Sequence, residues 1–148
     1  MVGRLREALP LYRALVEKTA RGRQKKDLGR YHHRLGAIAE RQNDVNGALE
    51  QYNAAYAVDA GHMPTLIALG RLYMQQQNWE KARRIYRSML LQNLDPAGGV
   101  TRADVYLHLG EIHEKLGEGP KAVGMYERGL ELDPAHLGLN AAMGRVRG

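Results

Sequence analysis

Few side chains in this sequence are placed to do covalent chemistry. Six histidines are present, and His32-His33 is the only adjacent pair. A metal site needs further ligands at compatible spacing, yet the chain has no Cys and no His-x3-His. His108 and His113 are five apart, so they leave a helix on different faces. Gly117-Glu118-Gly119-Pro120 shares only its glycines with a phosphate loop, because no strand precedes it and no Lys-Ser/Thr follows. Glu111 with Glu114, and Glu127 with Glu131, fall at helical spacing and read as solvated faces. Ser88 is the only serine, so no Ser/His/Asp set can be assembled. The residues therefore assign no catalytic group, no metal and no cofactor, and the chain reads as a non-enzyme.

Charge is the stronger signal. The formal net charge is +6, and it is unevenly placed. Residues 1–34 hold ten Lys/Arg and three Asp/Glu, while the remainder holds twelve and thirteen. Arg21, Arg23, Lys25 and Lys26 form the densest run, continued by Arg30 and Arg34. Such a run is either a solvated linker or a contact for an acidic protein, nucleic acid or anionic membrane. Aromatic interleaving is missing apart from Tyr31, and no nucleic-acid motif is present, which argues against nucleic acid. No apolar run approaches the ~18 residues that span a bilayer. The N-terminus is interrupted by Arg4, Arg6 and Glu7 rather than forming a signal-peptide core. A soluble, cytoplasmic protein is the expectation.

The elements behind these residues are helices. Leu5, Ala8, Leu9, Tyr12, Leu15 and Val16 recur at three- and four-residue spacing over 4–20. Residues 20–26 are polar and basic and read as a loop or frayed end, with Asp27 as the next N-cap. Asn78 and Thr101 are further caps, and Pro64 fits a first turn. The stretch from Ala103 to His136 gives the clearest pattern. Its first helix carries Tyr106, Leu109, Gly110 and His113. Its second carries Ala122, Tyr126, Gly129 and Leu130, and stops at Asp133-Pro134. Gly36, Ala48 and Tyr52, then Gly70, Ala82 and Tyr86, repeat the order. Gly36 to Gly70 is 34 residues, Gly70 to Gly110 is 40, and Gly110 to Gly144 is 34. The two six-residue additions fall near 20–27 and 94–102, where insertions are tolerated and often functional.

An aromatic, Leu-Gly, then Ala, an aromatic four residues later and Pro resembles the tetratricopeptide (TPR) repeat. The resemblance covers units at 29–62, 63–96 and 103–136. A second helix of a partial repeat stands at 4–20, and a capping or partial-repeat helix at 137–147. It implies one all-α domain, a right-handed α-solenoid of about eight helices. Gly36, Gly70, Gly110, Ala48, Ala82 and Ala122 mark close helix crossings, and the tyrosines fill space between neighbours. The resemblance also implies a non-enzymatic scaffold whose first helices line a concave groove for a protein or peptide. Mapped onto this chain, the lining is Arg30, His33, Arg34, Ala37 and Arg41, then Ile67, Arg71, Met74 and Gln75, then Asp104, Leu107, His108, Glu111 and Lys115. One TPR subclass grips chaperone tails with a Lys/Asn/Asn/Lys/Arg set. The matching positions here are His33, Ala37, Ala68, Asp104 and His108, none of which matches, and this argues against that clamp. The alternatives are a self-assembling homo-oligomer joined through terminal helices, and docking of an acidic partner on the basic cluster.

Overall fold

The computed structural model describes residues 2–148, with side chains for Ala14, Glu17, Lys18 and everything from Ala20 onward except Pro96. Among the described residues there are seven α-helices and no strands. They are α1 (Val2–Arg41), α2 (Val45–Val58), α3 (Met63–Gln75), α4 (Trp79–Leu90), α5 (Arg102–Lys115), α6 (Gly119–Leu132) and α7 (Leu137–Arg147). A single 3-10 turn, Pro96–Gly98, joins α4 to α5. None of these helices is long and apolar enough to cross a membrane.

The first helix corrects one expectation. Residues 20–26 do not form a loop. They continue α1, a single 40-residue helix, so seven helices stand where about eight were expected. Six of these seven residues are Ala, Arg, Gln or Lys, all strong helix formers, Gly22 alone is unfavourable, and no Pro lies between Pro10 and Pro64 to stop the chain. Polarity without a breaker imitated a loop. Asp27 accordingly lies inside the helix and caps nothing. The side chains of Leu5, Ala8, Leu9, Tyr12, Leu15 and Val16, which carry the 4–20 pattern, lie outside the described residues.

The chain divides into two compact units, Met1–His62 and Met63–Gly148. In the first, the end of α1 packs on α2 around Ala48, Tyr52 and Ala55, all buried. Gly36 is the crossing point: a Cβ there would lie 2.6 Å from the Tyr52 ring. In the second unit α3 packs on α4, α4 on α5, α5 on α6, and α7 on α6 and α5. Leu66, Leu69, Leu72, Ile85, Leu109, Ile112 and Leu139 supply its core. The same crossing recurs there, because Cβ atoms on Gly70 and Gly110 would run into the rings of Tyr86 and Tyr126.

The turns inside the three helix pairs are alike. Asn43, Gln77 and Gly117 take positive φ. The next amide then donates back five residues, Asp44 to Ala39, Asn78 to Tyr73 and Glu118 to His113, at 2.8–2.9 Å. This Schellman closure satisfies carbonyls that a helix end leaves open. Asp44 and Asn78 go on to cap α2 and α4 through their side chains. Glu118 makes no such side-chain cap, and Pro120 opens α6 instead.

Candidate functional site

Six of the fourteen expected contact residues line one surface feature in the second unit. Ile67, Arg71, Met74 and Gln75 from α3 face His108 and Glu111 from α5 across a cavity of about 370 Å³. Its remaining walls are Tyr86 and Met89 from α4 and Val100 from the connector. The i, i+4 and i+7, i+8 spacing of 67, 71, 74 and 75 puts those four on one helical face. Residues 105, 109 and 112 turn the other way, into the core. The 94–102 addition contributes Val100, so one of the two extra stretches forms part of a cavity wall.

Two of the three repeats hold their buried tyrosine in the same way. Tyr52 donates its hydroxyl to Glu40 at 2.6 Å, and Tyr126 donates to Glu114, which also takes Arg145 at 2.6 Å. Both carboxylates sit four residues after the crossing glycine. In the middle repeat that position is Met74. Tyr86 therefore lacks the carboxylate partner of its two counterparts, and the residue is 6% exposed. Its ring stacks on His108, with centroids 4.8 Å apart. Burial, with the Glu111 carboxylate adding and Arg71 opposing, pushes the Tyr86 phenol up to about 12. The hydroxyl thus keeps its proton and remains a donor. The His108 Nδ1 atom is buried without a hydrogen bond, with Glu111 Oε2 3.9 Å away.

Other expected contact residues stand elsewhere. Leu107 packs with the Ala103, Tyr126 and Leu139 cluster. Asp104 completes a capping box with Thr101 and meets His136 Nε2 at 2.6 Å. The Leu139 amide donates to His136 Nδ1, so the ring proton lies on Nε2 and points at Asp104. Lys115 lines a separate cleft with Trp79, Glu114 and Arg145. In the first unit, Arg30, Arg34 and Arg41 are exposed along α1. His33 is half-buried between Tyr52 and His62, with centroid separations of 5.2 and 5.3 Å. Arg21, Arg23, Lys25 and Lys26 are exposed, and Arg21 makes a 3.8 Å pair with Glu17. No group of three or more metal-ligating side chains occurs among the described residues.

Tyr86, Met89 and Val100 were not among the sequence-predicted contacts. The signal that points to them is Met74, the one place where the glycine-plus-four position is not Glu.

Comparison with known proteins agrees with the geometry. Two tetratricopeptide repeat models match, over residues 39–99 and 105–137, which together take in more than half of the chain. The chain belongs to the tetratricopeptide repeat family. Among solved structures, it is similar to the N-terminal domain of stress-induced protein-1 from C. elegans (15% identity, 84% of this chain and 98% of that one, TM-score 0.69). The Arabidopsis OM64 TPR domain matches at 17% identity over 83% and 97%, TM-score 0.64. The second TPR domain of human RPAP3, solved in complex with the HSP70 peptide SGPTIEEVD, matches at 16% over 86% and 98%, TM-score 0.64. At these identities the likeness is one of fold. No curated protein matches the sequence.

Proposed function

We propose that this chain is a non-enzymatic interaction module that docks a segment of a partner protein in the α3–α4–α5 cavity of its second unit. The observation that carries it is the cavity itself: five apolar or aromatic side chains under a rim of Arg71, Gln75, His108 and Glu111. A concave, mostly apolar site with a few convergent polar groups is the usual form of a recognition pocket. The relation to RPAP3 supports a peptide as the class of ligand, since that domain holds one. An acidic chaperone tail is not the match here. Asp104 and His108 stand where the clamp would want cations, and Asp104 is already held by Thr101 and His136.

Selection of displayed random peptides on the purified chain tests this. Peptides enriched on the wild type should lose binding to Ile67→Arg, which puts a charge on the cavity wall. They should keep it on Arg84→Glu, an exposed position of α4. Failure to enrich any peptide, or enriched peptides indifferent to Ile67→Arg, would remove the docking proposal.

A further inference from the structure

The missing carboxylate in the middle repeat has a consequence for what the cavity accepts. Three homologous tyrosines occupy the same crossing, and two are saturated by a glutamate of their own repeat. Tyr86 is not, yet it is more than nine-tenths buried and its ring forms part of the cavity wall. No carboxylate of its own repeat holds the Tyr86 hydroxyl, so that O–H can donate to an acceptor brought by a ligand. The charge balance narrows the ligand further. Arg71 and Glu111 place one charge of each sign at the rim, so a charged side chain entering the cavity would lose hydration without a net opposite field. The floor is Ile67, Met74, Met89 and Val100. Two of these are methionines, whose unbranched thioethers adjust to irregular apolar shapes.

Resting on the docking role above, we infer that the cavity seats one uncharged, long aliphatic side chain of the partner, with the backbone carbonyl of that residue accepting a hydrogen bond from the Tyr86 hydroxyl. Met74 is then the specificity determinant. Glutamate at 74 would recreate the tyrosine–carboxylate pair of the sister repeats and close the site. The fold tolerates that pair twice already, so the variant should remain folded.

The test uses the whole chain labelled with 13C at the methionine methyls, titrated with N-acetyl-leucine N-methylamide and with the aspartate and lysine analogues. The leucine probe should shift the Met74 and Met89 methyl signals saturably and leave Met143, at the α7 end of the unit, unmoved. The aspartate and lysine probes should shift neither. Tyr86→Phe, which keeps the ring and its packing, should weaken the leucine probe about threefold to tenfold, the range of one hydrogen bond. Met74→Glu should abolish the effect with its thermal midpoint retained. Equal response to the charged probes, no response to the leucine probe, or full binding by Met74→Glu would overturn the inference. Display-selected peptides that carry no aliphatic residue but still require Ile67 would refute the anchor while leaving the docking role standing.

Discussion

At the residue scale the three crossings are determinants of packing, and a crossing glycine and an open one predict opposite effects of the same substitution. Gly110 is buried under the Tyr126 ring, so an added methyl has nowhere to go. Gly110→Ala should cost about 1–3 kcal/mol through overpacking. Gly124, inside α6, has nothing within 4 Å of where a Cβ would stand. Gly124→Ala should gain about 0.5–1 kcal/mol, because only the helical entropy cost of glycine is removed. Urea titration of the two variants checks the pair, and equal effects would contradict the crossing. Titration gives a second residue-scale prediction. Burial, then His62, lowers His33 against the opposing Glu40. Burial lowers His113 against the opposing Glu118. Each is thus neutral in the folded chain where the unfolded chain already takes up a proton. Their contribution is complete above the unfolded value of 6.5 and is lost as pH falls from there through the lowered folded values. The melting temperature should drop between about pH 7.5 and 5.5, less steeply in His113→Gln. An unchanged slope in that variant would remove His113 from the account.

At the element scale, the sequence was most legible where a breaker or cap forced a boundary. Asn78 and Thr101 were expected as caps and do cap α4 and α5. The 34- and 40-residue spacings marked the three repeating turns. In residues 20–26 helix propensity and polarity point in different directions: mostly strong helix formers, they carry no apolar face and so share the pattern of a loop. The continuity of α1 is itself checkable. Backbone Cα chemical shifts of residues 20–26 should be helical, and Gln24→Pro should abolish that signal. Random-coil shifts in the wild type would contradict a single helix. The cavity was half legible. Mapping by resemblance put Ile67, Arg71, Met74, Gln75, His108 and Glu111 on facing positions, which the structure brings together. Val100 could not be placed, since a connector of irregular backbone has no period to extrapolate. The spacing of Tyr86 matches a packing role alone, and its face toward the cavity depends on residue 74 being Met rather than Glu. The α5 start adds a last element-scale expectation. Thr101→Ala removes the hydroxyl that accepts from Asp104 and should cost about 0.5–2 kcal/mol, measured by thermal or urea unfolding. α7 keeps Gly144 and Arg147 exposed beside buried Leu139 and Met143.

At the scale of the whole molecule, two surfaces compete for the role of docking site: the basic stretch of α1 and the near-neutral cavity of the second unit. They differ in their response to salt. Binding through exposed Arg21, Arg23, Lys25 and Lys26 would weaken steeply as ionic strength rises, because exposed charges are screened within about 10 Å at 0.1 M. Seating an uncharged side chain among Ile67, Met74 and Met89 would not. The most direct measurement is amide hydrogen exchange of the chain with and without a saturating display-selected peptide, run at low and high salt. Protection concentrated in residues 67–75, 86–89 and 100–111, and retained at high salt, is the predicted result. Protection confined to residues 17–34, or protection that vanishes with salt, would contradict docking in the cavity.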